Sequence, residues 1–340
     1  MNTSIHNIWR CWYLFRKGKH KTKELQIFEY ALEENLLRLH KDLNLGIYRH
    51  GPYFQFTVFD NKKREIVVPP IRDRVVHRMI YEYLVPIFDK TFIYDVWSCR
   101  KGKGLQGAIE RAQFFAHKYR YGFIWRADIK KFFDSVDQNI LLKCIERRVA
   151  DPPALEIIRE IISSYKITKG KNLGKIVGLG EREREREKAL RALHIGIPIG
   201  NLTSQIFSNI YLNEFDRFVA NSLKPKAYLR YGDDFLIFET DKSCLEKTRA
   251  DAVAFLEKIN LRVNTKNDII LRPKQGIHFL GVDIFPFGRR LKKRNWEKVI
   301  NNLGDKNFSS YLGLVKKHSN RKKIREMNWR IYGLIENNIL

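Results

Sequence analysis

Two adjacent aspartates, Asp233 and Asp234, interrupt a run that otherwise has the makings of buried β-structure: Ala227-Tyr-Leu-Arg-Tyr-Gly-Asp-Asp-Phe-Leu-Ile-Phe-Glu-Thr240. Apolar and aromatic residues flank the pair on both sides, the composition of strands in a core. Burying one ionised carboxylate is costly unless it is paired, and two together repel. The pair therefore requires either a turn facing water or a divalent cation. Gly232 favours a tight turn, and a Tyr-Gly-Asp-Asp hairpin would lift both acids to the rim of a sheet while Tyr228, Leu229, Leu236 and Ile237 stay packed. Taken alone, the stretch leaves both readings open.

A chain of 340 residues that is 44% hydrophobic can bury a core shared by two or three subdomains. Its 64 Lys and Arg against 38 Asp and Glu leave a net charge of +26, which points to a polyanionic partner. A membrane is not the expected partner, because the sequence has neither an apolar run of about 18 residues nor a basic amphipathic helix with a broad apolar face. The opening MNTSIHNIWRCWYLF lacks a signal-peptide core. Cys11, Cys99, Cys144 and Cys244 are far apart with no C-x-x-C pair, so reduced thiols and a cytoplasmic location are expected rather than zinc or disulfides.

Along the chain, the basic run RKGKHKTK (16–23) precedes Leu25, Phe28, Leu32, Leu36, Leu39 and Leu43, whose spacing predicts one helix ending at Gly46. Segment 52–70 alternates around Asp60-Asn61 and predicts a hairpin with a basic tip, Lys62-Lys63-Arg64. Segment 71–88 predicts a helix with Val75, Met79, Ile80, Tyr83 and Ile87 on one face. Residues 122–137 predict a short strand emerging at Asp128. Residues 196–219 predict a Gly-Pro-Gly loop delivering a helix, with Ser204 as a possible cap. The Gly- and charge-rich stretch 169–194 reads as an exposed insertion, and the stretches RRLKKRNWEK and KKHSNRKK mark a small basic helical subdomain at the end.

Asp128 at a strand end and Asp233-Asp234 in a hairpin form a set of three carboxylates suited to two Mg²⁺ ions in nucleotidyl transfer. Bound metals would also remove the repulsion within the pair. The ordered series Lys62-Lys63-Arg64-x-Ile, Asp73-Arg74, Asp128-Ile-Lys-Lys-Phe-Phe-Asp, Ile199-Gly-Asn-Leu-Thr-Ser-Gln205, Tyr231-Gly-Asp-Asp234 and Phe279-Leu-Gly281 resembles bacterial reverse transcriptases of the group II intron and retron kind. Among these it is most similar to the enzymes of diversity-generating retroelements. The resemblance runs from about residue 48 to 288.

That resemblance implies an α+β right-hand polymerase fold with an antiparallel palm sheet packed on helices. It implies a basic N-terminal extension and helix over 1–47, fingers over 48–125, and a palm over 126–285 with finger helices at about 138–168 and the insertion at 169–194. A basic helical thumb over 286–340 completes the division. Carried over residue by residue, Asp128, Asp233 and Asp234 match the metal carboxylates and Ile129 the residue lending a backbone carbonyl. Lys266 matches a basic residue that protonates pyrophosphate. Arg64, Arg74, Phe133, Ile199 and Gly200 match positions facing the incoming nucleotide, with Phe133 beneath the sugar. Ser204, Gln205, Tyr231, Phe279, Leu280, Gly281, Lys292, Lys293 and Arg294 match or adjoin positions contacting template and primer. The implied partners are a template RNA, primer and cDNA, deoxynucleotides and a small basic accessory protein oligomer.

Many reverse transcriptases carry Gln-Gly where this chain has Ile199-Gly200, and Ser-Pro where it has Ser204-Gln205. Diversity-generating enzymes resemble this chain at both places, and the change accompanies error-prone copying of template adenines. Gln donates and accepts hydrogen bonds, whereas Ile offers only bulk. A retron or group II-like enzyme with another role, an RNA-dependent RNA polymerase, and a non-catalytic RNA-binding scaffold are the competing readings. Phe133 opposes the second and the intact acids the third. No nuclease, integrase or RNase H pattern is legible, so nicking and template removal are expected from other proteins.

Overall fold

In a computed structural model of the protein, residues 1–59, 63–165 and 194–339 are described. Helices α1 (Ile5–Arg16), α2 (Lys23–Tyr30) and α3 (Leu32–Asn44) precede strands β1 (Phe54–Phe59) and β2 (Lys63–Val68), then α4 (Ile71–Phe88) and α5 (Leu105–Lys118). Next come β3 (Phe123–Asp128), α6 (Phe132–Ser135), α7 (Gln138–Glu146), α8 (Pro152–Ser164) and α9 (Leu202–Phe218). The rest comprises β4 (Ala227–Tyr231), β5 (Asp234–Glu239), α10 (Lys242–Lys258), β6 (Ile269–Leu271), β7 (Ile277–Phe279), β8 (Val282–Phe285), β9 (Gly288–Leu291), α11 (Lys293–Asn301), α12 (Phe308–His318) and α13 (Arg321–Ile339). The tip of the first hairpin (60–62) and, apart from His194, the expected insertion 169–194 lie outside the described residues.

The chain forms two compact units, each discontinuous in sequence. The first comprises Met1–Ile93, Lys130–Phe218 and Ala254–Arg262. In it α4 packs on α1 and α9, burying Val75, Val76, Met79, Ile80, Leu84 and Phe88. Leu84 and Phe88 take the fully buried places at the end of the helix, and the expected Tyr83 and Ile87 are half-buried. The single helix expected over residues 25–43 is two, because the backbone breaks at Ala31 (φ −118°, ψ 44°). The Asn35 amide donates to the Phe28 carbonyl across that break, supplying a partner to an oxygen that the helix end leaves open. Helices α7 and α8 start where side-chain oxygens cap them: Asp137 accepts from Asn139 and Ile140 backbone N–H groups, and Asp151 from that of Ala154. Ser204, expected as a possible cap, is instead the third residue of α9 and fully buried, because the helix begins at Leu202, directly after the Gly200 turn.

The second unit comprises Tyr94–Ile129, Val219–Val253 and Val263–Leu340. Its four-stranded antiparallel sheet has the order β4-β5-β3-β6, and β7-β8-β9 form a second, three-stranded sheet. Helix α5 packs on β4 and β8. Trp97, Ile109, Phe115, Ile124, Leu229, Leu236, Phe238, Phe279 and Ile284 are buried together there, and each such side chain contributes about 1.5–3 kcal/mol of apolar burial. The basic helical ending expected from the sequence is present as α11, α12 and α13, which enclose their own cluster of Leu291, Val299, Val315, Met327 and Ile331. No helix among the described residues is long and apolar enough to cross a membrane. Cys11 and Cys144 are buried free thiols, and Cys99 and Cys244 are exposed ones.

Candidate active site

The second unit brings the three acids of the sequence together. Strand β3 ends at Asp128, and the β3–β5 register sets Asp128 directly opposite Asp234. Strands β4 and β5 pair Tyr231 with Asp234, leaving Gly232 and Asp233 as a two-residue turn. Gly232 takes φ +64°, a left-handed conformation that costs a residue with a side chain energy but suits glycine. The Asp233 carbonyl accepts from the Ile129 N–H at 3.3 Å, tying the turn to the end of β3. Like charges directly opposite in a sheet are destabilising. Such a pair persists only where its surroundings supply compensation.

Several side chains supply it. Arg126 lies two residues before Asp128 on the same face of β3 and reaches Asp234 at 3.9 Å. The Asn267 amide donates to Asp128 Oδ2 at 2.7 Å, and the Asn264 N–H donates to the Asp128 carbonyl at 2.9 Å. Arg230, fully buried within β4, donates to the Gly232 carbonyl at 2.8 Å and so braces the turn from below. Asp128 Oδ1 is buried and has no hydrogen-bond partner among the described residues. Among those residues no group of three or more His, Cys, Asp or Glu side chains is gathered so as to hold a metal ion by itself. Mg²⁺ does not require one, since it binds through one or two carboxylates with waters and substrate phosphates completing its shell. Hard oxygen donors and one orphaned carboxylate oxygen therefore fit that ion.

Exposed Lys266 sits in the turn that carries Asn264 and Asn267. Leu280 (φ +50°) and Gly281 (φ +82°) form the β7–β8 turn, where Asn295 of α11 donates to the Gly281 carbonyl at 2.8 Å. Phe279 is wholly buried in the core and Tyr231 is half-buried. Lys292 caps α11 and is held below the usual lysine range, first by burial. Lys293 faces Glu297 at 3.9 Å, and Arg294 is exposed.

The first unit gathers the other expected residues. The Val67 N–H of β2 donates to the Ile199 carbonyl at 3.1 Å, and Gly200 (φ +109°) lies so close to Ile66 that a Cβ there would come within 2.9 Å of it. The Ile197 N–H donates to the Phe133 carbonyl at 2.9 Å, so the 196–200 loop joins α6 to the hairpin. Phe132 is buried and Phe133 half-buried. Of Arg64 only the backbone is described, paired with Val58. Arg74, Gly200 and Gln205 line a cavity of about 390 Å³ with Lys17, Lys19 and Arg78. Arg74 is already engaged there, donating to the Pro69 carbonyl at 2.7 Å and to Glu24 at 3.0 Å. Lys19 is held below the usual lysine range by burial and by Arg74 and Arg78.

A chain of hydrogen bonds not anticipated from the sequence underlies this loop. His50 Nδ1 lies 2.6 Å from the Gly51 carbonyl and donates to it, so its Nε2 accepts from His77 Nε2 at 3.1 Å. His77 Nδ1 then accepts from the Thr203 hydroxyl at 2.7 Å. Burial, with His50 and Arg74 nearby, pushes the His77 pKa down to about 3, so this ring is neutral at pH 7. Arg126, Arg230 and Asn267 were likewise not singled out. Period-two alternation back from Asp128 is a signal that could have found Arg126.

A family model described as "Reverse transcriptase (RNA-dependent DNA polymerase)" matches residues 57–284. Protein YkfC of Escherichia coli (strain K12) is 27% identical over 258 residues, covering 65% of this chain and 63% of its own length. The putative COX1/OXI3 intron 2 protein of Saccharomyces cerevisiae is 21% identical over 322 residues, covering 77% of this chain and 34% of its own length. The chain thus spans less than two thirds of either relative. Telomerase from Candida albicans, solved with a fragment of telomeric RNA, superposes with a TM-score of 0.51 at 13% identity, over 92% of this chain and 60% of that one. That likeness concerns the fold, which is α+β of the right-hand polymerase type.

Proposed function

The chain belongs to the reverse transcriptase (RNA-dependent DNA polymerase) family, and from that premise we propose that it copies an RNA template into DNA by adding deoxynucleotides to a primer 3′-end. The observation that carries this reading is the register pairing of Asp128 with Asp234 beside the Asp233 turn, with Asp128 Oδ1 left unpartnered. Asp128, Asp233, Asp234 and the Ile129 carbonyl would hold two Mg²⁺ ions, which supply positive charge against the phosphates of the incoming nucleotide. Asn267 fixes the Asp128 carboxylate, Arg126 offsets Asp234, and Arg230 keeps the turn from collapsing. Lys266 gives a proton to the leaving pyrophosphate. Arg64, Arg74, Phe133, Ile199 and Gly200 face the incoming nucleotide. Gln205, Tyr231, Leu280, Gly281, Lys292, Lys293 and Arg294 hold template and primer, with Ser204 and Phe279 supporting those contacts from buried positions. Fingers over 48–125, palm over 126–285 and thumb over 286–340 is the corresponding division of labour.

Primer extension on an RNA template with deoxynucleotides and Mg²⁺ tests the reading. Asp233→Asn should leave RNA binding largely intact and lower extension by roughly three orders of magnitude, about 4 kcal/mol of transition-state stabilisation. Extension near the wild-type rate would remove the acids from the chemistry.

Within the family, the apolar Ile199 supports a diversity-generating role, with a structured template RNA and a small basic accessory oligomer as partners in the cytoplasm. Ile199→Gln should then reduce errors opposite template adenine about five- to thirty-fold, a change of ~1–2 kcal/mol in discrimination, read by sequencing cDNA from both proteins. The intron-encoded yeast relative favours a group II-like enzyme with another role. Low and evenly distributed errors in the wild type would select that second reading.

A further inference from the structure

At the far end of β3 from Asp128, the second unit carries an open pocket of about 600 Å³ that the polymerase reading leaves unused. Strand geometry puts it on the order of 20 Å from that acid, at about 3.3 Å per residue. Arg120, Tyr121, Lys274, Phe285, Phe287 and Arg289 line it, and none of its lining residues is acidic. Two of the rings stand in water, Tyr121 at 72% and Phe287 at 80% exposure. Two cations and an imidazole stand beside these rings. Arg120 and Lys274 lie 4.7 and 5.2 Å from the centre of Tyr121, and His117 meets Phe287 edge-on at 5.0 Å. One guanidinium nitrogen of Arg289, Nη1, is buried without an acceptor among the described residues.

The pocket wall is built into the backbone. Gly276 takes φ +88°, and a Cβ there would come within 2.7 Å of the Phe285 ring, so glycine is what allows that ring to seat against the neighbouring turn. The acid nearest in sequence, Asp283, is already committed to His278 and Arg290. Exposed aromatic faces interleaved with uncompensated cations match one ligand chemistry. A base stacks on a ring whatever its identity, while the flanking phosphates meet lysine and arginine.

We propose that this pocket binds an unpaired nucleobase with its flanking phosphodiester, anchoring a single strand at a site separate from the candidate catalytic acids. The strand is either an unpaired part of the template RNA or the cDNA leaving the enzyme. An acidic protein segment would satisfy the cations but would leave the two exposed rings without their stacking partner.

The test uses the full chain and 12-nucleotide single strands, one of RNA carrying 4-thiouridine and one of DNA carrying 4-thiothymidine, at one fixed salt concentration. Photo-crosslinks should map to peptides containing Tyr121 or Phe287. The Tyr121→Ala/Phe287→Ala double variant should lose those crosslinks and bind about five- to a hundred-fold more weakly, as loss of a stacking platform predicts. Tyr121→Phe and Phe287→Tyr should retain both. Because both side chains are exposed, an unchanged melting temperature confirms that the double variant is folded. A loss confined to RNA identifies the template, and an equal loss for DNA identifies any unpaired strand. Wild-type affinity in the double variant, or crosslinks only elsewhere, overturns the proposal, as would a loss seen solely for an acid-rich peptide. Extension of a short primer is measured in the same samples. If the wild type binds and crosslinks as expected but does not extend, the polymerase reading fails while this site stands.

Discussion

Two of the protein's hairpins, β1–β2 and β4–β5, are of similar length but lie in opposite environments. All six residues of β1 are exposed, Phe54, Phe56 and Phe59 among them, and among the described residues β1 and β2 form a two-stranded sheet. In the other hairpin, four of five residues of β4 and five of six of β5 are buried, within a sheet of four strands. A two-stranded sheet is marginal by itself, and exposed aromatic residues gathered along it mark a surface awaiting a partner. The buried hairpin needs none. It holds Asp233 and Asp234 in position through its own sheet, whereas in the exposed hairpin each strand has one pairing partner among the described residues.

The largest effect should come from exchanging one ring for alanine in each hairpin. Phe235→Ala in β5 should cost ~3–5 kcal/mol of unfolding free energy, as for any buried phenylalanine, while Phe56→Ala in β1 should stay within about 0.5 kcal/mol. Urea titrations of both variants check this. Equal losses would break the comparison.

Acid should sharpen it. The exposed hairpin is flanked by the loop at 48–51 and, through Ile199, by the start of α9, and His50, His77 of α4 and Thr203 of α9 bind these segments together. His77 is neutral in the folded protein down to about pH 3, whereas in the unfolded chain it takes up a proton near pH 6.5. Stability is therefore unaffected above that pH and falls as pH drops from about 6.5 toward 3, by up to about 1.4 kcal/mol per pH unit for this one proton. Denaturation measured against pH should show that slope, and His77→Gln should reduce it by this one proton's share, with His50 and His318, also held below the usual histidine range by burial, contributing to the rest. An identical slope in the variant would place the acid sensitivity elsewhere.

The smallest effect concerns the basic ending of the second unit. Replacing Lys292, Lys293 and Arg294 by glutamine together should lower the slope of log K against log salt for RNA binding by up to about three. Since Lys293 already faces Glu297 and Lys292 is partly buried, a drop nearer one would identify Arg294 as the main phosphate contact.

Local pattern made much of this legible. Alternation and a terminal acid located β3 up to Asp128, and the turn residues located both hairpins. Side chains that act across long separations were not legible. Arg230 looks like an intrusion in an apolar strand until the carbonyl it serves is seen, and Asn267 lies 139 residues from the carboxylate it holds. The break at Ala31 escaped notice because the apolar stripe continues on either side of it. The discontinuous units were equally invisible, since periodicity reports a helix face but not which distant segment covers it.

The pairing of β3 with β5 also bears on the order in which the protein matures. Two of the three acids are already neighbours in sequence, and the β4–β5 turn that sets their geometry is a local event of about 1–10 μs. Asp128 joins them only when a loop of about a hundred residues closes, an entropic cost that must be met before any contact across β3 and β5 repays it. On a ribosome the interval is longer still, because β5 is synthesised well after β3, at roughly 5–20 residues per second. For several seconds the nascent chain carries Asp128 without its counterparts, so the three acids come together late, with the non-local pairing of the sheet.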